Sequence, residues 1–321
     1  MPQAIENTRQ RLRHIVQQSL PLPLLDYFAL AQFRQQLAQG LRNYSTVYNS
    51  VFLGMQSATP GMAFLSGYQN ALRCLDATCP DTQLAAFCVS EKGVKKPWDM
   101  ATRITTSSVG HLINGQKGYV MLLPDDLDRL YVVVKDQAEQ LRCVYFQSTV
   151  AGLTLTEPLR APFIEDIPHS GVSFDHILIA SEQLMPIDGH SEANKPFRYW
   201  EDVHVTLAMM AWMFRYLDKL HDLNKLHARE QEKAKEIRSG ENTANHKDQL
   251  IEQMAQLINQ FESSPNYYCA ASFTMLDTCQ ALLEHCSTML FPKQQKQWQK
   301  DRLLLQMGQK IRCLIQVKMQ S

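Results

Sequence analysis

Cysteine and histidine are the side chains best suited to nucleophilic chemistry and metal binding, and the chain contains 8 of the first and 10 of the second. No C-x-x-C pair and no H-E-x-x-H motif occurs, and most of the cysteines lie inside apolar runs. Metal sites and redox-active thiols need ligands clustered at short spacings. The sequence therefore predicts buried free thiols and no dedicated metal site.

The composition of the chain is that of an ordinary globular protein. It has 321 residues, of which 45% are apolar and 20% charged, and its 32 basic residues balance 32 acidic ones. A net charge of zero gives no long-range attraction for nucleic acid. The longest apolar stretch, Leu207–Phe214, is far shorter than the ~20 residues of a membrane span, and no signal-type apolar region follows the N-terminus. We expect a cytoplasmic protein with no nucleic-acid partner and no membrane span.

Apolar residues at helical spacing predict an N-terminal helical domain, 1–82, and a C-terminal helical domain, 191–321. The main predicted helices of the second domain are Trp200–Leu223, Gln249–Phe261, Ala270–Met289 and Trp298–Lys318. Between the two domains, β-branched and aromatic runs separated by turn clusters predict a β domain, 83–190, of six to eight short strands. Two of these strands are predicted to flank a hairpin turn at Asn114-Gly115, a dipeptide typical of tight hairpins. The predicted fold class is α+β.

Three segments resemble, in order and spacing, parts of the acyl-CoA dehydrogenase family. Phe-Cys-Val-Ser-Glu at Phe87–Glu91 is similar to the strand that carries the family's Thr/Ser-Glu-Pro flavin contact. Asn-Gly-Gln-Lys-Gly-Tyr-Val at Asn114–Val120 resembles its Asn-Gly-x-Lys-x-Trp/Tyr-Ile hairpin, and Val172–Leu184 resembles the strand that leaves its β domain. Together with the flanking helical regions, the resemblance covers most of the chain.

The resemblance implies a helical domain, a barrel-like antiparallel β domain and a C-terminal four-helix bundle, with FAD between the last two. It also implies a flavoprotein oxidoreductase of fatty acid metabolism that removes the α-proton and the β-hydride of an acyl-CoA thioester. In that family a glutamate takes the proton, and the subunits pair through the bundle. The implied partners are therefore an acyl-CoA substrate or ligand, and a second copy or partner subunit.

The family's flavin contacts fall on four residues of this sequence. By resemblance, Ser90 would place its hydroxyl at the flavin edge, and Tyr119 would form an aromatic wall beside the isoalloxazine ring. The backbone groups of Phe87 and Val89 would hydrogen-bond the ring system. These four residues form the cofactor site that the resemblance implies.

The segment after Glu91 departs from the family pattern. The family has proline and then small residues whose backbone amides approach the FAD pyrophosphate, whereas this chain has Lys-Gly-Val-Lys-Lys-Pro at Lys92–Pro97. Lys95 and Lys96 can attract phosphate as point charges, but they do not encode a tight backbone cradle. Met121 stands where the family has a further hydroxyl. The sequence thus predicts fewer flavin contacts than the family pattern contains.

The family's catalytic glutamate has no counterpart at its usual place. Aligning the dipeptide at 300–301 with the family's Arg-Asp puts Gln309 there, and matching Ile311 and Leu314 instead puts Gln306 there. Either way an amide replaces the carboxylate, and an amide cannot accept an α-proton at neutral pH. A subset of the family carries its glutamate in the first C-terminal helix, where Glu201 and Asp202 lie. Adjacent helical residues face about 100° apart, so at most one of them could point into a cleft. Acidic residues are also favoured near a helix N-terminus by the helix dipole, and the catalytic residue stays unassigned.

Three functions remain open on this sequence. The first is an FAD-dependent acyl-CoA dehydrogenase with a relocated base. A catalytically inactive relative, which binds acyl-CoA or a partner subunit, would account for the missing phosphate cradle and base. A flavin-dependent monooxygenase on the same fold needs no α-proton base, because oxygen reacts there with reduced flavin.

Overall fold

The computed structural model describes residues 2–156, 163–230 and 237–320, and the fold mixes helices with one extended sheet. The chain divides into two compact units. The helical unit comprises Met1–Asn70 and Trp200–Ser321, and the sheet unit comprises Ala71–Tyr199. The division into three domains at 1–82, 83–190 and 191–321 stays a prediction.

Along the sequence, four α-helices precede the strands of the sheet and four follow them within the described residues. Before it come α1 (Pro2–Ser19), α2 (Leu30–Asn43), α3 (Thr46–Gly54) and α4 (Pro60–Leu75), and after it come α5 (Lys195–Glu230), α6 (Ile237–Ser263), α7 (Ala270–Ser287) and α8 (Pro292–Gln320). Each of the four helices predicted for the C-terminal region is confirmed, with ends that differ from the predicted ones. Among the helices that the structure describes, none is both long and apolar enough to cross a membrane.

Two glycines allow α5 to pack directly on the backbones of α3 and α4. A Cβ added at Gly54 would lie 2.4 Å from the carbonyl oxygen of Ala208, and one added at Gly67 would lie 2.5 Å from Cα of Val205. Contacts this close exclude any side chain at either position. The middle of α5 is therefore fixed against the N-terminal helices.

Side-chain contacts also join the C-terminal helices to one another. The rings of Trp212 on α5 and Trp298 on α8 stack with their centroids 5.9 Å apart and their planes 5° apart. The Lys247 ammonium on α6 lies 2.8 Å from the Asp218 carboxylate on α5. The finer expectation, that these helices form a four-helix bundle, stays a prediction.

The sheet contains eight strands within the described residues: β1 (Ala85–Cys88), β2 (Arg103–Ser107), β3 (Gly110–Met121), β4 (Arg129–Lys135), β5 (Leu141–Gln147), β6 (Leu153–Leu155), β7 (His169–Ile179) and β8 (Leu184–Asp188). Their order is β6-β7-β3-β2-β4-β5-β8, and β1 pairs with β4. Most pairs are antiparallel, as predicted, but β1 runs parallel to β4 over its whole length. The predicted antiparallel β domain is therefore confirmed for most strand pairs and wrong for the pairings of β4 with β1 and β2, and its barrel-like closure stays a prediction.

The hairpin turn predicted at Asn114-Gly115 is also wrong. These residues lie inside β3, a single strand of 12 residues, and the tight turn is at 108–109 between β2 and β3. A β-bulge against β7 falls at this point, and Gly115 has φ +138°. A Cβ there would lie 2.5 Å from Cα of Thr102. The glycine therefore serves a close approach of two backbones within the sheet rather than a turn.

Candidate functional site

A backbone hydrogen bond brings the first two sequence motifs together. Gly118 N donates to the carbonyl oxygen of Ser90 at 2.7 Å, so the segment that follows β1 lies beside β3. Ser90 is exposed, and Tyr119, the residue after Gly118, is 61% exposed. A hydroxyl and a phenol ring are thus presented to solvent from neighbouring parts of the backbone.

The other two predicted flavin contacts lie on the strand that leads to Ser90. Phe87 and Val89 are half-buried, and both pack on a buried apolar cluster made of Met100, Val133 and Leu141. The Phe87 ring also contacts the Phe197 ring, with centroids 4.7 Å apart. The side chains of Phe87 and Val89 therefore anchor this segment to the apolar cluster.

A buried ion pair fixes the same two motifs to each other. Lys117 Nζ lies 2.8 Å from Glu91 Oε1, with the Lys117 side chain fully buried and that of Glu91 4% exposed. Thr102 places its backbone N 3.1 Å and its hydroxyl 2.7 Å from the same carboxylate oxygen. Ala101 N donates to the other oxygen at 2.6 Å. Every charge-bearing atom of this pair therefore has a close polar partner, which is what a buried ion pair requires.

The environment favours the ionised form of the Glu91 carboxyl. Burial alone would raise its pKa, but the hydrogen bonds from Lys117, Ala101 and Thr102 outweigh burial, and the pKa lies below its ordinary value. Burial lowers the pKa of Lys117, and Glu91 opposes that change. Each member of the pair therefore favours the charged form of the other.

Three exposed lysines follow the ion pair. Lys92, Lys95 and Lys96 lie between Glu91 and the short 3-10 turn Pro97–Asp99. Gly93 has φ +81°, and no heavy atom lies within 4 Å of the place where its Cβ would be. This loop offers positive charge and open space, which suits a phosphate held by point charges rather than by a tight backbone cradle.

Asp202, one of the two candidate bases, is enclosed in a network of the helical unit. Its Oδ2 pairs with the Arg312 guanidinium and accepts a hydrogen bond from the Tyr268 hydroxyl at 3.0 Å. Arg312 also bonds Asp277 Oδ1 at 2.8 Å and Gln280 Oε1 at 2.9 Å. Burial raises the pKa of Asp202, and Arg312 offsets part of this rise. Asp202 therefore joins α5 to α8 and α7, and its carboxylate is already engaged.

The other residues considered for proton transfer have different settings. Glu201 is half-buried and precedes Asp202 on α5. Gln306 and Gln309 lie in the uninterrupted helix α8, the first half-buried and the second exposed. Neither glutamine is presented by a loop. Of these four candidates, only Glu201 and Asp202 are carboxylic acids, and the Asp202 carboxylate is bonded to Arg312 and Tyr268.

Solved structures similar to this chain agree on its fold. A butyryl-CoA dehydrogenase from Megasphaera elsdenii aligns over 97% of this chain and 98% of that chain, with a TM-score of 0.63 at 9% identity. The chain has the acyl-CoA dehydrogenase fold. A glutaryl-CoA dehydrogenase from Mycobacterium smegmatis in complex with FADH2 covers 92% of this chain and 86% of its own, with a TM-score of 0.61 at 12% identity. PigA with FAD and proline covers 94% and 91%, with a TM-score of 0.60 at 13% identity. The sequence itself matches no family model and no curated protein.

The chemical groups presented by the residues around Ser90 and Tyr119 are of the types that a flavin dinucleotide needs. Ser90 offers an exposed hydroxyl, Tyr119 an exposed aromatic ring, and the loop at 92–96 three ammonium groups. Met121 is 7% exposed and lies within the core. Its thioether therefore neither contributes a polar contact nor occupies the solvent-facing surface that Tyr119 presents.

Sequence reasoning left two important groups without a role. Glu91 lies in the segment Phe87–Glu91 and Lys117 in the segment Asn114–Val120. A lysine inside a predicted strand could have indicated that its ammonium group is buried against a carboxylate. Arg312 is 1% exposed on α8, at helical spacing from buried Trp298 and Leu305. That spacing places Arg312 on the inward face of α8 and could have indicated its buried role.

Proposed function

We propose that this chain is an FAD-binding oxidoreductase of the acyl-CoA dehydrogenase kind. Similarity of fold over nearly its full length supports the proposal, as does the FADH2 named for the glutaryl-CoA dehydrogenase. The observation that carries it is the bond between Gly118 N and the Ser90 carbonyl, because it joins the two segments whose residues would contact the flavin.

The cofactor would be held by residues of the sheet unit. Ser90 would hydrogen-bond the edge of the flavin ring, Tyr119 would pack beside it, and the backbone groups of Phe87 and Val89 would complete the contacts. The lysine loop at 92–96 would neutralise part of the pyrophosphate charge. When bound, FAD would supply the acceptor for a hydride.

The proposed substrate is an acyl-CoA thioester, which would undergo α,β-dehydrogenation. Glu201 is the proposed acceptor of the α-proton, since the Asp202 carboxylate is engaged by Arg312 and Tyr268. A homo-oligomer or partner subunit, a role in fatty acid metabolism and a cytoplasmic location belong to the same proposal.

The test is turnover of a panel of acyl-CoA thioesters by FAD-loaded protein with an artificial electron acceptor. We expect enoyl-CoA to form under anaerobic conditions, at a rate that Glu201→Gln lowers by at least a hundredfold while bound flavin is unchanged. Formation of an oxygenated product that needs both oxygen and externally supplied reduced flavin would instead indicate a monooxygenase. Acyl-CoA binding without any product would indicate an inactive relative.

A further inference from the structure

A cavity in the helical unit has no role in the proposed flavin chemistry. It has a volume of about 260 Å³ and lies between the second half of α5, the connection from α3 to α4 and the connection from α7 to α8. Its apolar and aromatic lining comes from Leu24, Ala58, Trp212, Tyr216, Leu220 and Phe291. The volume is slightly below that of typical drug-sized ligand pockets, so any occupant would be small.

The aromatic wall of this cavity is held in place by specific contacts. The Phe291 backbone N donates to the Tyr216 hydroxyl at 3.0 Å, and the two rings lie 6.1 Å apart at 70°. The Tyr216 ring also lies 6.2 Å from that of Trp212, which is 4% exposed. These contacts connect α5 to the α7–α8 connection, so the wall is formed before any ligand arrives.

Two cations border the same cavity. Arg215 donates to the carbonyl oxygens of Ser19 at 2.8 Å and Leu22 at 3.1 Å, which fixes its guanidinium. Lys219 lies one helical turn further along α5 and also lines the cavity. Asp218, the acid beside it, is paired with Lys247 at 2.8 Å. Within the described part of the chain, no carboxylate pairs with Lys219.

Like charges four residues apart on a helix destabilise it, and here both border an apolar cavity. Partial burial lowers the pKa of Lys219, and the Arg215 charge lowers it further, which shows that the two cations repel each other; Asp218 offsets part of the charge of Arg215. A bound anion would relieve this repulsion, and an apolar body would cover the aromatic wall. Cations beside a preformed apolar pocket are the features that such a ligand needs.

We propose that this cavity binds a small amphiphilic anion, with its carboxylate, sulfonate or phosphate group at Lys219 and Arg215 and its apolar body against Trp212, Tyr216 and Phe291. The inference does not depend on flavin binding.

The test compares two fluorescent probes of similar body on the full-length chain. One is 8-anilinonaphthalene-1-sulfonate, which is an anion, and the other is N-phenyl-1-naphthylamine, which lacks the sulfonate. Lys219→Gln is expected to weaken the anionic probe about tenfold and to leave the neutral probe unchanged. Ala58→Phe, at an exposed position on the cavity rim, is expected to abolish binding of both. Lys310→Gln, an exposed lysine on α8, should change neither.

A competition experiment identifies the anionic group. Hexanoate and hexyl phosphate are added to the complex with the anionic probe, with hexanol as the neutral control. Displacement by either anion, and not by hexanol, supports the site and shows which group it prefers. The proposal is overturned if Lys219→Gln and Lys310→Gln bind the anionic probe equally. It is also overturned if the Ala58→Phe variant, shown by circular dichroism to be folded, binds both probes as the parent protein does. Displacement of the anionic probe by hexanol as effective as that by the anions would overturn it too.

Discussion

Lys117 and Glu91 form a buried ion pair, with 2.8 Å between Nζ and Oε1, that joins the middle of β3 to the segment following β1. The two residues proposed to contact the flavin lie close to the pair in sequence, because Ser90 precedes Glu91 and Tyr119 follows Lys117 by two positions. The pair has no group left to offer a ligand, because its atoms are taken up by each other, by Thr102 and by Ala101. Its role is to hold two short segments in register at a place where the sheet carries its exposed polar residues.

Breaking this pair from one side should be costly. Glu91→Gln leaves the Lys117 ammonium buried without a countercharge, and we expect the free energy of unfolding to fall by about 3–5 kcal/mol. Replacing both residues, as in Glu91→Gln with Lys117→Met, should recover much of that loss because no unpaired charge remains. Urea denaturation of the two variants measures the difference, and equal stabilities for the single and double variants would contradict the buried charge pair.

The same pair predicts a loss of stability in acid. The pKa of Glu91 is lowered in the folded protein, so its contribution is complete above the ordinary carboxyl pKa of about 4.3 and disappears as pH falls through the lower folded-state value. Unfolding monitored by circular dichroism between pH 5 and pH 3 should show this. The double variant without the pair should have a shallower dependence on pH over that range.

His204 predicts a second pH dependence, in the helical unit. The histidine is fully buried, with Nδ1 2.6 Å from the Trp200 carbonyl oxygen and Nε2 2.9 Å from the Thr46 hydroxyl. Burial lowers the pKa of His204 to about 4. The unfolded chain then binds a proton below about pH 6.5 that the folded chain does not, so stability falls between pH 6.5 and 4, by about 3 kcal/mol in all.

The corresponding measurement is the free energy of unfolding at pH 7, 6 and 5. His204→Gln should flatten the dependence on pH, whatever it does to stability at pH 7. His14→Gln, which replaces an exposed histidine on α1, should keep the slope of the parent protein. Identical slopes for the parent and His204→Gln would show that His204 is not the group responsible.

The neighbouring acids Glu201 and Asp202 should separate turnover from stability. Asp202→Asn leaves the buried Arg312 with less countercharge and should lower the free energy of unfolding by about 3 kcal/mol or more. Glu201→Gln keeps the Asp202–Arg312 pair and should lower the free energy of unfolding by less than Asp202→Asn does. Turnover should respond in the opposite way, with the greater loss in Glu201→Gln. Full activity in this variant would remove Glu201 as the base.

Two glycines with positive φ provide a matched test of the sheet geometry. Gly115→Ala would place a Cβ 2.5 Å from Cα of Thr102, whereas Gly93→Ala meets no atom within 4 Å. Both variants bear the conformational cost of a positive φ, about 1–2 kcal/mol, but Gly115→Ala adds a clash between backbones. We expect Gly115→Ala to lower the melting temperature far more than Gly93→Ala, and similar losses would contradict the close approach at Thr102.

Apolar periodicity and β-branched runs were sufficient to predict the N- and C-terminal helical regions and a central region of six to eight strands, whereas the segments that carry Ser90 and Tyr119 were singled out by the family resemblance. The prediction of a turn at Asn114-Gly115 failed because the glycine is required by the close approach of the Thr102 backbone. Rules for local turn sequences cannot detect a contact with a residue that lies elsewhere in the chain. The parallel pairing of β1 with β4 was missed for the same reason, since strand direction depends on long connections. The roles of Asp202 and Arg312, which lie 110 positions apart in sequence, required the packed helices.

Flavin binding should depend on the two exposed residues beside the ion pair. Ser90→Ala and Tyr119→Leu each remove one proposed contact, and each should raise the dissociation constant for FAD several-fold to tenfold, which corresponds to about 1 kcal/mol. Tyr267→Leu, which replaces a similarly exposed tyrosine of the helical unit, should leave FAD affinity unchanged. An equal loss in all three variants would point to nonspecific adsorption of the cofactor.

Titration of the full-length protein with FAD, followed by visible absorbance and by calorimetry, tests the central claim most directly. We predict a saturable transition at one FAD per chain, with a shifted flavin spectrum and with weaker binding in Tyr119→Leu. Well-folded protein that binds no FAD at any concentration tested, with or without an acyl-CoA present, would contradict it.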